Sequence, residues 1–208
     1  MSKMTELEKS LINRFGSSNV ISIDCNEDQI PLLHIKMDQK SSVSILVTNG
    51  LSNYTMLVPD AEKGREHNEL YFCLPSYWDI KDLNNPNMNW VHYWIQRLVK
   101  YVLDKKTWLG PGHTMACGNP FQNLSDINRC NHFILNNPML LKEELIPITI
   151  DGKTIYFLAI IPMFEDEMDF KQGKGTQKLI KKFESNNVTE KIDDYRCTVL
   201  RSKWRFVK

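Results

Sequence analysis

Residues 69–74 read ELYFCL and residues 155–161 read IYFLAII. Both are nearly continuous apolar runs, short and rich in aromatic and β-branched residues, the pattern of strands covered on both faces. They are read as the interior strands of a sheet. The Asp151-Gly152 pair just before the second run is a turn signal that sets its start.

The rest of the sheet is read outward from these two runs. VSILVT at 43–48 is a strong strand, stopped by Asn49-Gly50, whose residues tolerate positive φ. The LSNYTMLVP that follows predicts a returning partner, hence a hairpin over 43–58. Residues 20–24 and 32–36 predict another antiparallel pair, opened by Pro31, and residues 126–135 one more strand.

Helices are legible from their period. Met4, Leu7, Leu11 and Phe15 recur at helical spacing, with Thr5 and Glu8 placed as a capping box and Gly16 closing the run. Trp90, Val91, Trp94, Ile95, Leu98, Val99 and Val102 make a wide apolar face behind Asn89 as N-cap. Thr176 is read as the cap of a third helix carrying Leu179, Ile180 and Phe183. Residues 184–194 predict a mobile loop, and residues 195–208 two short strands or one bent one. Strands and helices alternate irregularly, so the fold class is α/β (α+β), a mixed, mostly antiparallel sheet flanked by helices.

Composition narrows the function. At 208 residues and 42% hydrophobic content the chain can bury a core and reads as one domain. The 26 Lys plus Arg against 25 Asp plus Glu leave +1, which argues against a broad nucleic-acid surface. The exception is local: Arg201, Lys203, Arg205 and Lys208 crowd the last ten residues. Blunting of an exposed strand edge is the simplest reading of that basic tail. No run of about 18 apolar residues is present for a membrane span, and the amino terminus mixes charge with apolar residues, so a cytoplasmic chain is expected. Five cysteines without a CxxC pair, and five scattered histidines, predict no disulfide scaffold, metal site or cofactor.

Few residues invite chemistry. His113 sits in the glycine-rich TWLGPGHTMACGNPF, residues 107–121, where a general base could stand, with Cys117 four residues on. The loop lacks the Gly-Lys-Ser/Thr ending of a phosphate-binding loop, and no third group is visible. Glu165, Asp166, Glu167 and Asp169 place four carboxylates in five positions without a calcium-loop order, which suits a solvated face meeting a basic partner. Trp108 is either a core anchor or a binding anchor. No catalytic set assembles, and the candidate partner contacts are Glu165, Asp166, Glu167, Asp169, His113 and Trp108.

Four segments in order, ILVTNGLSNYTM (45–56), ELYFCLP (69–75), TWLGPGHTMACGNPF (107–121) and FLAIIPMFEDEMDFKQGKG (157–175), resemble the suppressor-of-fused domain family. The resemblance is strongest over 45–183 and implies an α/β domain without established enzymatic activity. Larger animal members bind and restrain transcription factors, and short bacterial members resemble immunity proteins, or antitoxins, that neutralise a cognate toxin. A protein partner, a toxin such as a nuclease, is therefore expected. A transcription-factor regulator and an enzyme using His113 are the competing readings.

Overall fold

The computed structural model describes residues 4–23, 25–37 and 42–200. Its centre is an eight-stranded sheet in the order β1-β2-β3-β4-β8-β6-β5, with β7 on the flank of β8. The strands are β1 Val20–Ile23, β2 Leu32–Lys36, β3 Val43–Thr48, β4 His67–Pro75, β5 Thr114–Ala116, β6 His132–Asn136, β7 Ile148–Ile150 and β8 Lys153–Met163. Every pairing is antiparallel except β4 with β8, so the mixed, mostly antiparallel architecture stands.

Side-chain alternation splits the core into two layers. Leu70, Phe72 and Leu74 of β4, with Leu158 and Ile160 of β8, face α2 (Trp90–Lys105). Tyr71 and Cys73, with Phe157, Ala159 and Ile161, face the opposite way, against Leu7 and Leu11 of α1 (Glu6–Phe15) and Leu179 and Phe183 of α4 (Thr176–Ser185). The two apolar runs are interior strands because each has a helix layer on both sides. A short helix α3, Glu165–Lys174, links β8 to α4.

The expected hairpin over 43–58 does not form. β3 pairs instead with β2 and with β4, and residues 51–53 make a 3₁₀ turn. The cause is Glu69, the one acid inside the apolar run of β4. Its carboxylate is fully buried and accepts the amides of Gly50 at 3.0 Å, Leu51 at 3.2 Å and Ser52 at 3.0 Å, together with the Thr48 hydroxyl. The Asn-Gly turn thus curls around a carboxylate, with Gly50 at φ 132°, where a side chain is disfavoured. Burial raises the Glu69 pKa, and the hydroxyl and amide donors oppose that rise.

Other local corrections share one theme, side chains claimed by tertiary partners. Thr5 caps α1 by accepting the Glu8 amide at 3.0 Å, but the Glu8 carboxylate accepts from Ser22 and so does not close a reciprocal box. Asn89 precedes α2 yet donates to the Leu83 carbonyl at 2.8 Å and makes no cap. Gly175, not Thr176, takes the N-cap position of α4, and Thr176 is its first residue. Residues 126–131 are irregular and the strand begins at His132, whereas the glycine-rich loop contributes β5. Residues 195–200 are turns and irregular backbone in place of strands, and the basic residues from Arg201 onward lie outside the described residues.

Candidate binding surface

β4 and β8 pair from His67↔Ile155 to Tyr71↔Ala159 and then part. Residues 190–196 run into that gap, although the sequence predicts a mobile loop over residues 184–194. Lys191 bridges to Cys73, the Ile192 amide donates to the Cys73 carbonyl at 2.9 Å, and Arg196 Nη2 donates to the Pro162 carbonyl at 2.8 Å.

Three acids pin this segment. Glu190, fully buried, accepts the amides of Met139 (3.0 Å), Leu140 (2.8 Å) and Leu141 (2.9 Å) and the Tyr71 hydroxyl (3.2 Å). Asp194 accepts from Asn128 and from the Tyr77 hydroxyl, both at 2.9 Å, and burial raises its pKa. Glu167, also fully buried, is gripped by Arg196 through two bonds of 2.7 Å and accepts the amides of Phe164 and Val199. Glu167 is therefore withdrawn from the acidic surface proposed from sequence. Glu165, Asp166 and Asp169 remain exposed on α3. The first two border a cleft of about 630 Å³ that also holds Asp126, Arg129 and Tyr195.

The glycine-rich loop lies across the sheet at the β5 side. Asn68 of β4 holds it by donating to the Leu109 carbonyl at 3.4 Å, and the Leu109 amide reaches the Met56 sulfur. Trp108 folds back over Gly110, so closely that a Cβ at residue 110 would overlap the Trp108 ring. Gly110→Ala is expected to cost about 1–3 kcal/mol by overpacking, read as a lowered urea midpoint with an unchanged slope. An unaltered midpoint would mean that Trp108 is free to move aside.

His113 packs edge-on against Trp108, with ring centroids 4.2 Å apart, and its hydrogen-bond partner is the Trp108 backbone. Burial, then the nearby Lys171 ammonium, lowers its pKa, so the imidazole is neutral at pH 7. Cys117 is buried and its thiol pKa is raised by desolvation, which removes the thiolate a nucleophile needs. No group of three or more His, Cys, Asp or Glu suited to a metal occurs among the described residues.

Trp108 and His113 do come together with residues that sequence reasoning missed. They share a groove of about 470 Å³ with Tyr101 of α2, Met115 of β5 and Lys171 of α3. No local signal could mark Tyr101 or Lys171, because each is an ordinary helix position until the fold sets it beside the loop. β5 is a terminal strand of the sheet. The Leu135 amide donates to the His113 carbonyl and the Cys117 amide to the Asn131 carbonyl, so odd residues bond to β6. By antiparallel alternation, the N–H and C=O of Thr114 and Ala116 point away from the sheet.

The class of protein so defined is a mixed-sheet α/β domain with polar anchors holding its loops and an aromatic groove beside an edge strand. The family model for suppressor of fused protein (SUFU) matches residues 26–196. The chain belongs to the suppressor-of-fused family. Among solved structures it is similar to a SUFU homologue from Neisseria gonorrhoeae, at 14% identity and TM-score 0.62, covering 93% of this chain and 95% of that one. It is equally similar to a chain of the Sufu–Fu complex, at 14% identity and TM-score 0.62, covering 92% and 91%. Drosophila Suppressor of Fused aligns at 15% identity and TM-score 0.54 over 86% of this chain but only 42% of the fly protein. No curated protein sequence matches the chain. Among the described residues no helix is long and apolar enough to cross a membrane.

Proposed function

We propose that this chain is a non-enzymatic, cytoplasmic binding domain that holds a protein partner, and that the partner is a toxin it neutralises as an immunity protein. The observation that carries the binding reading is the outward-facing edge of β5 beside the Trp108–His113 groove. Such an edge accepts an extended segment of a partner by strand addition, with the groove taking alternate side chains. The enzyme reading loses support, since His113 is bonded to backbone and Cys117 is buried. In the Sufu–Fu structure a relative of the same fold is complexed with a protein, which is consistent with capture of a protein here. The exposed acids Glu165, Asp166 and Asp169 supply a second contact for a basic partner, steering its approach.

Proline at an edge position removes an outward donor and leaves the inward ladder intact. Ala116→Pro should therefore abolish partner recovery in affinity purification and toxin protection in cells, with the thermal midpoint nearly unchanged. Full protection by that variant would end the edge reading. Charge reversal must spare Glu167, where a lysine would set a second cation against the buried Arg196. Glu165→Lys with Asp166→Lys and Asp169→Lys should slow association by about tenfold or more at low salt. Recovery of a DNA-binding protein in place of a toxin would replace the immunity reading with that of a transcription-factor regulator.

A further inference from the structure

Residues 76–89 lie over the α2 face of the sheet and carry Trp78 and Ile80 into the core, where Trp78 meets Trp90 edge-on at 5.6 Å. Polar satisfaction is poorest here. Four buried side-chain polar atoms lack a hydrogen-bond partner among the described residues; Trp78 Nε1 and Asn87 Oδ1 belong to this segment, and His34 Nε2, on β2, is within electrostatic reach of its Lys81. His34 is 7% exposed. His92 of α2 reaches the segment directly, its Nε2 lying 3.2 Å from the Ile80 carbonyl.

The surroundings of His34 are hostile to a proton. The charged groups acting on it are Lys36 of its own strand, Lys81 of the covering segment and His92 of α2, and each disfavours the imidazolium. Its cross-strand neighbours, Ile21 on β1 and Leu46 on β3, are apolar. The carboxylates of the segment do not compensate, since Asp79 and Asp82 are exposed and Asp79 turns back to accept the Lys81 amide at 3.0 Å.

We propose that residues 76–89 form an acid-released cover over the aromatic face of the sheet, gated by His34 and His92. Burial lowers the pKa of both imidazoles below the ordinary 6.5, the lysines lower His34 further, and the Ile80 carbonyl opposes part of the fall at His92. With the cover open the imidazoles regain ordinary values and bind protons more readily than with it closed. Closure is thus fully favoured above about pH 6.5 and weakens as the pH falls through the lowered values. Opening would also release the Tyr77 hydroxyl from Asp194, uncoupling the cover from the segment in the β4–β8 gap.

The test is hydrogen–deuterium exchange of the full chain at about pH 7.5 and about pH 5, corrected for intrinsic exchange. Uptake in peptides from 76–89 should rise by about tenfold on acidification, while peptides from β4 and β8 stay protected. In His34→Leu combined with His92→Gln the rise should fall below about twofold. A pH-independent cover, a double variant that responds like the parent, or an equal rise in β4 and β8 would each overturn the proposal. Should the double variant fail to fold, His34→Leu alone must remove most of the response, and failure to do so is equally decisive.

Discussion

Arg196→Met is expected to destabilise the fold by about 3–5 kcal/mol, the cost of leaving a buried charge without its partner. Arg196 is nine-tenths buried, and its guanidinium makes two bonds of 2.7 Å to Glu167 and one of 2.8 Å to the Pro162 carbonyl. It also lies over the rings of Phe164 and Phe183, at 4.8 and 5.5 Å. Methionine keeps much of that apolar contact and removes only the charge and its donors. Glu167 would then keep two amides for a fully desolvated carboxylate. The double variant Arg196→Met, Glu167→Met should recover most of the loss, because a buried pair replaced as a whole costs far less than a pair broken. Urea unfolding of the two singles and the double gives the coupling. A single-variant loss below about 1 kcal/mol would place the pair among ordinary surface ion pairs.

Glu190→Ala carries the other large effect. One carboxylate accepts three consecutive amides and a phenol, all from segments remote in sequence. Each buried donor left without an acceptor costs about 1–3 kcal/mol, and water entering near the exposed Leu140 recovers part, so a loss of about 3 kcal/mol or more is expected. The loss should be localised. Exchange protection should fall first at residues 137–145 and 188–194, with β3 and β4 unaffected. Glu190→Gln retains one acceptor oxygen but turns an amide donor toward donors, and should fall between parent and alanine variant. Equal stability of all three chains would mean that the 137–145 turn is held by its apolar contacts alone.

These two hubs account for what was and was not legible beforehand. Residues 69–74 and 155–161 could be recognised as central strands because burial on both faces leaves a local mark, an uninterrupted apolar run. The faces of α1 and α2 could be read because the 3.6-residue period is likewise local. The ordered landmarks from Ile45 onward already resembled the family to which the chain belongs. The four acids of α3 looked alike in sequence, yet one is an interior ion-pair partner and three are exposed. Only Arg196, far along the chain, makes that distinction. The same holds for Glu69, which reads as a blemish in an apolar strand and proves to fold the preceding turn around itself.

Apolar periodicity, then, determined the two central strands and the buried faces of α1, α2 and α4. Tertiary structure alone decided the partner of β3, the filling of the β4–β8 gap, and the union of Trp108, His113, Tyr101 and Lys171 in one groove. The physical reason is range. Backbone preference and side-chain periodicity act over a few residues, whereas a desolvated carboxylate takes whichever donors the completed fold delivers to it.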